Sequence, residues 1–319
     1  LQRQLNKNNL ILKVNPPYEE VKYFCLPISV RSAQILTHPR IDNTSGNLLV
    51  VDCYFRELLS VQGGAICDTL HCNTTIKRSG FYRCNATSRG GSILKQNGEV
   101  HLSNLCFEKC SVIGNGNGEF GHCCLIDQSN GILSRATAWE CGLEHLKYGD
   151  TPFAFTFSAA TTKDLNSSWC FGWGSIGTTY WHNLMDSEEV HTVYACSSGE
   201  MANEINWGRG SITRHNSVNC SSSKMRALFW FEDGTATLID CCYFDNSYGT
   251  VCMRNAPTIV RCLAYPPIPD FGVCKLGDLH TCFLNHASGC DTLPSGALTH
   301  RYQHKISNIL LTTHFLISV

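Results

Sequence analysis

Cysteine and histidine are the residues of this chain best able to hold a metal or act as nucleophiles. The sequence contains 20 Cys and 13 His. Near its C-terminal end Cys274, Cys282 and Cys290 recur every eight residues, with His280 and His286 between them. Zinc sites usually place paired ligands about two to five residues apart. Because many other cysteines are present, we predict that Cys274, Cys282 and Cys290 form disulfides in a C-terminal cap and hold no metal.

A second group of residues could bind a ligand through flat aromatic rings. Aromatic residues concentrate between 142 and 190, where Trp173, Tyr180, Trp181 and His182 lie among Gly and polar residues. Such rings stack on the apolar faces of sugars, and a neighbouring His can form hydrogen bonds. We therefore predict that these residues lie in loops and form a ligand-binding site. The alternative is that the rings only cover the side of the fold.

The segment 153–157 in the same region alternates Phe with smaller residues. Phe153, Phe155 and Phe157 are spaced by two. Because successive side chains of a strand point to opposite faces, the three rings should share one face. We predict that this face lies in the core.

Groups for acid–base or nucleophilic catalysis follow no recognisable pattern. The sequence has no G-x-S-x-G, P-loop, H-E-x-x-H or EF-hand motif. Asp52 and Asp240 occupy equivalent positions of the repeat described next but lie seven repeats apart, whereas Asp240 and Arg261 are in neighbouring repeats. We expect a structural salt bridge between Asp240 and Arg261. We predict no catalytic residues, no cofactor and no metal ligands.

The elements that position these residues follow a repeat of 26 residues. Phe55, Phe81 and Phe107 are 26 residues apart, and an aliphatic residue stands five positions before each. The same frame continues with anchor positions at 138, about 167, 193, 217, 244 and 265. A fixed period in this range indicates stacked structural repeats. A repeat built from a pair of helices would need roughly 33 to 47 residues. Twenty-six residues are too few for that arrangement.

The composition of each repeat identifies the stacked unit. Val, Ile, Thr, Phe and Cys are interrupted by Gly and Asn, which is typical of short strands and turns. We predict an all-β fold, a parallel β-helix (β-solenoid) of about nine coils of ~26 residues. It should span residues 48–265, with irregular aromatic-rich insertions at 142–190. Residues 1–47 and 266–319 are predicted to cap its two ends.

Cysteines recur at one position of this repeat, three residues after each Phe position. They are Cys84, Cys110, Cys141, Cys170, Cys196 and Cys220. Stacked strands lie about 4.8 Å apart and aim equivalent side chains alike. We therefore predict a column of buried free thiols inside the fold, with disulfides restricted to turns and ends.

Composition narrows the cellular setting and the partners. Twenty-five basic and 26 acidic residues leave a net charge of −1, which argues against a nucleic-acid partner. The sequence contains no stretch of about 20 apolar residues, which a membrane-spanning helix would need. The high cysteine content and five Asn-x-Ser/Thr acceptors favour a glycosylated protein that is secreted or on the cell surface. These acceptors are Asn43, Asn73, Asn85, Asn166 and Asn219. Because the chain starts at Leu1, we expect a leader peptide to lie outside this sequence.

The repeats resemble a known family of surface proteins. Gly63-Gly64-Ala65-Ile66, its variant Gly90-Gly91-Ser92-Ile93 and the recurring Phe are similar to the polymorphic outer membrane protein repeats. Those repeats carry GGA-[I/L/V] and F-x-x-N motifs, and here Cys84 and Cys110 stand where the Asn is expected. The likeness covers about residues 48–265 and is greatest to the Cys-rich surface families of trichomonad parasites. It implies a right-handed β-helix displayed on a cell surface, with a role in adhesion and no catalytic residues.

The sequence thus favours a non-enzymatic secreted or cell-surface β-helix protein with an adhesin-like binding or structural role. Its expected partner is a glycan or protein on a host or neighbouring cell. One alternative is a polysaccharide lyase or glycoside hydrolase on the same fold, which would need two or three clustered carboxylates. Another is an extracellular filament subunit, because exposed coil ends can pair with one another.

Overall fold

All regular secondary structure is β-strand in the part of the chain that the computed structural model describes. The described residues are 2–6, 9–14, 20–24, 41–43, 46–114, 121–142, 151–175, 178–181, 185–194, 197–198, 204–206, 210–222, 229–231, 236–247, 257–265 and 272–273. Side chains are described only within 41–43, 46–114, 121–142, 151–175, 210–221, 237–247 and 257–265. Among these residues no helix has the length and apolar character needed to cross a bilayer.

The strands are mostly short, and two reach 16 residues. Those up to residue 112 are β1 (Gln2–Asn6), β2 (Asn9–Val14), β3 (Glu20–Phe24), β4 (Ile41–Asn43), β5 (Asn47–Val51), β6 (Tyr54–Arg56), β7 (Leu59–Gln62), β8 (Ile66–Asp68), β9 (Thr74–Tyr82), β10 (Asn85–Arg89), β11 (Ile93–Glu108) and β12 (Ser111–Val112). The next are β13 (Cys124–Trp139), β14 (Phe153–Thr156), β15 (Ala160–Ser168), β16 (Phe171–Gly172), β17 (Thr178–Trp181), β18 (Met185–Tyr194), β19 (Ser197–Ser198) and β20 (Glu204–Asn206). The last are β21 (Gly210–Thr213), β22 (Asn216–Val218), β23 (Ser221–Ser222), β24 (Phe229–Phe231), β25 (Ala236–Ile239), β26 (Cys242–Phe244), β27 (Thr258–Val260), β28 (Leu263–Tyr265) and β29 (Gly272–Val273).

Strand pairing follows the sequence repeat, because each strand pairs in parallel with the equivalent strand of the next repeat. One continuous column of paired positions runs through Val50, Ile76, Leu102, Leu133, Thr162, Glu188, Ile212, Leu238 and Ile259. The all-β prediction with parallel sheets is therefore confirmed. Antiparallel pairing occurs at the N-terminal end, where β2 joins β1 and β3. Strand β3 then pairs in parallel with β5, so the repeat pairing begins before residue 48.

Stacked phenylalanine rings form the centre of the core. Phe55 and Phe81 stack with ring centroids 5.1 Å apart, and Phe81 and Phe107 with centroids 4.9 Å apart. All three side chains are buried. The next two positions of this column are the smaller Ala138 and Ser167. Phe153, from another strand, contacts Phe107 edge-on at 6.0 Å, which fills space beside the small Ala138 side chain.

The predicted anchors 244 and 265 are wrong by one residue. Ser217 pairs with Tyr243, which pairs with Ala264, and both of these side chains are buried. Phe244 and Tyr265 instead stack on the other face, with centroids 5.3 Å apart and Tyr265 49% exposed. A shift of one residue moves every side chain of a strand to the opposite face. Tyr243–Phe244 and Ala264–Tyr265 are pairs of adjacent apolar residues, so the sequence allows either member of each pair to be the buried one.

Left-handed backbone conformations mark the corners between strands. One corner position has positive φ in most repeats, and opposite charges are neighbours at its two ends, Asp52 beside Arg78 and Asp240 beside Arg261. Arg78 donates to Asp52 through two nitrogens at 2.6 and 2.7 Å, and Arg261 donates to Asp240 at 2.6 and 2.8 Å. The expected Asp240–Arg261 salt bridge is present. These hydrogen bonds lower the pKa of Asp52 and of Asp240. Because the pairs are exposed, their contribution to stability is small.

The paired glycines occupy a second corner with no room for a side chain. Gly63 and Gly90 have φ of 51° and 56°, a region that Gly enters without the strain imposed by a Cβ. A Cβ on Gly63 would lie 2.1 Å from the carbonyl oxygen of Ile66, and one on Gly90 would lie 2.5 Å from that of Ile93. The positive φ and the close carbonyl oxygens therefore explain why the motif has Gly at this corner.

Candidate functional site

The predicted aromatic site is only partly within the described side chains. Trp173 is half-buried, directly after β16. The backbones of Tyr180 and Trp181 lie in β17, opposite Phe155 and Thr156 of β14. The prediction of a loop is therefore wrong for Tyr180 and Trp181, because parallel pairing extends through these two residues, whereas Trp173 lies outside the strands. His182 lies outside the described residues.

The prediction that three Phe rings of segment 153–157 share the core holds for two of them. Phe153 and Phe155 are fully buried, whereas Phe157 is 58% exposed. Strand β14 ends at Thr156, and Phe157 has a φ of 50°. The chain turns at this residue, so the alternation of a strand no longer applies and the ring points to solvent.

Trp169 is a second exposed aromatic residue at a left-handed corner of the same repeat, and sequence reasoning did not select it. Its φ is 56° and its exposed fraction is 39%. The equivalent corner in the four preceding repeats carries charged residues, namely Glu57, Arg83, Lys109 and Glu140. The corner of Phe157 likewise follows Asn97 and Gln128, which are polar residues tolerant of turns. We call residues 151–175 the aromatic coil, because Phe157 and Trp169 replace polar residues at its corners and Trp173 follows β16.

A buried polar cluster lies between the second and third repeats. Asp68 and Lys95 are both fully buried, and Lys95 Nζ lies 3.0 Å from Asp68 Oδ2. Lys95 Nζ also donates to the carbonyl oxygen of Leu70 at 2.9 Å. Asp68 accepts further hydrogen bonds from the backbone N–H of Leu70 at 3.1 Å and from the Thr74 hydroxyl. Both charges are therefore compensated, as burial in a low-dielectric interior requires.

Cys72 connects this cluster to the surface. Its side chain is half-buried, and its Sγ lies 3.6 Å from both carboxylate oxygens of Asp68 and 3.7 Å from Lys95 Nζ. Asn43 Nδ2 donates to the same sulfur at 3.5 Å. Burial and the neighbouring Asp68 carboxylate raise the pKa of Cys72. Cys72 is therefore mainly protonated at neutral pH, and it reacts slowly, through its minor thiolate form.

Sequence reasoning missed this cluster, although its signal is present in the repeat. Asp68 and Lys95 each stand five residues after the first Gly of a Gly pair. Asn43, Asp68 and Lys95 are consequently stacked on neighbouring strands. The next two positions of the column are the apolar Ile126 and Phe155. Both of these side chains are buried, so this part of the column lies inside the fold. Tyr180 and Asn206 follow at the next two positions of the same pairing.

The predicted column of buried thiols is present wherever its members are described. Cys84, Cys110, Cys141, Cys170 and Cys220 are buried. Cys196 lies outside the described residues. The Cys110 thiol donates to the Phe81 carbonyl oxygen at 3.4 Å, and Cys141 donates to the Phe107 carbonyl oxygen at 3.6 Å. Burial raises the pKa of Cys84 and of Cys110, so these thiols remain protonated.

This difference in burial predicts selective thiol labelling. When native protein is treated with iodoacetamide, Cys72 should react while Cys84, Cys110 and Cys141 stay unmodified. We expect the buried thiols to react at least ~100-fold more slowly, because they need local opening of the fold. Peptide mass spectrometry at several reaction times measures each rate. Equal rates for Cys72 and Cys110 would contradict the buried column.

The glycosylation acceptors differ in exposure. Asn73 and Asn219 are exposed, and Asn85 is half-buried. Asn43 and Asn166 are buried, at 9% and 4% exposure. An attached glycan must extend into solvent, so Asn73 and Asn219 have the most suitable positions in this structure. Glycosylation itself stays a prediction.

The remaining site predictions concern metals and disulfides. Cys274, Cys282 and Cys290 lie outside the described residues. Within the described ranges no three His, Cys, Asp or Glu side chains are arranged to hold a metal ion. In comparisons with known proteins, no family model and no curated protein matches this chain. The functional argument therefore depends on the chain's own geometry.

Proposed function

We propose that the chain is a right-handed parallel β-helix with about nine coils of ~26 residues. Its support is the unbroken parallel column from Val50 to Ile259, in which each step advances by one repeat. We assign a right-handed sense to the β-helix because of the resemblance to the polymorphic outer membrane protein repeats and because parallel crossovers are generally right-handed.

On this scaffold we propose a non-enzymatic, secreted or cell-surface protein that binds a glycan or protein on another cell. The observation that carries the proposal is the aromatic coil. Phe157 and Trp169 expose large rings at corners where other repeats place polar or charged residues. A bulky residue in the left-handed region is strained, and an exposed ring gains little from hydrophobic burial. The exposed surface of both rings is therefore available to a ligand.

A glycan is the ligand chemistry that fits these rings best. Trp169 and Trp173 lie on either side of β16, on a rigid strand framework. Flat aromatic rings stack on the apolar face of a sugar at low cost in side-chain entropy. The overall charge of −1 gives no long-range attraction that would favour a highly charged partner.

A polysaccharide-cleaving enzyme on the same fold receives less support. The buried carboxylate of Asp68 is neutralised by Lys95. Asp127, also buried, accepts hydrogen bonds from Gln96 at 3.0 Å and Thr156 at 2.7 Å. Acid–base cleavage of a glycosidic bond needs two carboxyl groups that face a common substrate. These two carboxylates instead bond to neighbouring side chains of the fold.

The test is binding of the full chain to an array of immobilised oligosaccharides. The variants Trp169→Ala and Trp173→Ala should each bind at least about tenfold more weakly, since a ring at the centre of a contact supplies much of its energy. Their melting temperatures should change little, because exposed substitutions have small effects on stability. We expect the same binding loss for Trp181→Ala, as the sequence predicted.

The matched control is Tyr265→Ala, which removes an exposed aromatic ring far from the aromatic coil. This variant should bind as the wild type does. If Trp169→Ala and Trp173→Ala lowered the melting temperature and left binding intact, both rings would be structural. If wild-type protein bound no oligosaccharide and no intact cell, the binding proposal would be wrong.

A further inference from the structure

We propose that Cys72 and Lys95 form an oxidative modification site, in which peroxide converts the thiol to a sulfenic acid and Lys95 captures it as an S–N bond. This inference is independent of the proposed binding function. It assigns a chemical role to a polar cluster that the binding surface does not use. Cys72 and Lys95 belong to neighbouring repeats, so the bond would join two successive layers of strands.

The first requirement is access of the oxidant to the Cys72 sulfur. Cys72 is half-buried at the surface end of the cluster, whereas the thiols of the interior column are fully buried. Hydrogen peroxide is small and uncharged, so it can reach a half-buried sulfur from solvent. A sulfenic acid formed there would meet the groups that already surround the sulfur, which are Asn43 Nδ2, Lys95 Nζ and the Asp68 carboxylate.

The second requirement is a nucleophile held next to the sulfur. Lys95 Nζ is fixed by Asp68 Oδ2 and the Leu70 carbonyl oxygen, and it lies 3.7 Å from Cys72 Sγ. This separation is close to the roughly 3–3.5 Å at which oriented groups react. The Lys95 side chain is fully buried, so it is held facing the sulfur and is not free in solvent.

The reaction balances without any group beyond peroxide. In the first step the Cys72 thiol and H2O2 give a sulfenic acid and water, so sulfur is oxidised and the peroxide O–O bond breaks. In the second step Lys95 loses one proton to Asp68, and its lone pair attacks the sulfur. The S–O bond breaks, hydroxide leaves and takes the remaining ammonium proton as water, and an S–NH bond remains.

Asp68 makes this outcome compatible with a buried site. Removing the charge of Lys95 alone would leave an unpaired carboxylate in the interior, which is costly. Here Asp68 accepts the proton that Lys95 gives up, at an oxygen 3.0 Å away. The buried ion pair thus becomes two neutral groups. The Thr74 hydroxyl and the Leu70 N–H continue to bond the Asp68 carboxyl group.

The test treats full-length native protein with millimolar hydrogen peroxide, blocks remaining thiols with iodoacetamide, and digests it with trypsin for mass spectrometry. We expect peptide 57–77, which contains Cys72, linked to peptide 90–109, with no cleavage after Lys95. Because Cys106 of peptide 90–109 is disulfide-bonded, the linked species also carries the peptide of its partner cysteine, and its mass should be lower than the sum of the reduced peptides by about 2 Da for each bond. Fragment ions should place the link to peptide 57–77 between Cys72 and Lys95. Dithiothreitol should separate the peptides.

Variants identify the bonded atoms. Cys67→Ala is the matched control, because Cys67 is also a half-buried cysteine of peptide 57–77 but lies on the face of β8 opposite to Asp68. The link should persist in Cys67→Ala and disappear in Cys72→Ala. The proposal would be overturned by normal cleavage after Lys95 in oxidised protein, by a disulfide at Cys72, or by fragment ions that place an oxygen between sulfur and nitrogen.

Discussion

Replacing Phe81 by Ala should lower the free energy of unfolding by ~3–5 kcal/mol. The ring is buried between Phe55 and Phe107, with centroid separations of 5.1 and 4.9 Å. Its removal leaves a cavity in the middle of the stack and also removes two aromatic contacts worth about 0.5–1.5 kcal/mol each, part of which the cavity cost already includes. Urea unfolding of the wild type and the variant measures the difference.

Phe157→Ala is the matched control for this experiment. It removes the same side chain from a position that is 58% exposed, so the expected loss is below about 0.5 kcal/mol. The urea dependence should keep its slope in both variants if the extent of unfolding is unchanged. Equal losses for Phe81→Ala and Phe157→Ala would contradict the assignment of the Phe81 ring to the core.

Removing one charge of the buried Asp68–Lys95 pair should also destabilise the fold by ~3–5 kcal/mol. In Lys95→Met the carboxylate of Asp68 stays buried without its cation. In Asp68→Asn the Lys95 ammonium loses its anion. The side chains of both residues are fully buried, so solvent cannot replace the missing partner.

The double variant Asp68→Asn with Lys95→Met separates the cost of an unpaired charge from the cost of altered packing. The amide oxygen at position 68 can still accept from the Leu70 N–H, its NH2 group can donate to the Thr74 hydroxyl oxygen, and no buried charge remains. We expect its loss to be at least ~2 kcal/mol smaller than the sum of the two single losses. Ile126 and Phe155 occupy the same column in later repeats, which supports tolerance of apolar residues there. Additive losses in unfolding experiments would show that the two charges are not coupled.

The sequence determined the layering of the strands, because a repeat is a direct record of which residues stack. Phe55, Phe81 and Phe107 are 26 residues apart, and they are paired and stacked in the structure. The cysteine column follows from the same period. Parallel strands place equivalent residues side by side, so an equal spacing along the chain becomes a column in space.

The sequence could not determine which face a residue takes where both frames are equally apolar. Tyr243 and Phe244 are adjacent aromatic residues, and only the pairing of Ser217 with Tyr243 decides that Tyr243 is buried. Phe157 is a similar case, because the alternation 153–157 gives no sign of the turn after Thr156. Both errors arise because a local pattern specifies alternation but not where the alternation stops.

Only the tertiary structure revealed how the polar residues of the interior are compensated. The repeat alone places Asp68 beside Lys95, since both follow their Gly pairs by five residues. It contains no information that Cys72, Thr74 and the Leu70 backbone surround the same pair. Leu70 and Cys72 lie in the connection between β8 and β9, whereas the next repeat has the continuous strand β11 at these positions. The sequence by itself therefore determined which residues stack along the fold. The conformation of each turn decided which groups from different positions of the repeat come into contact.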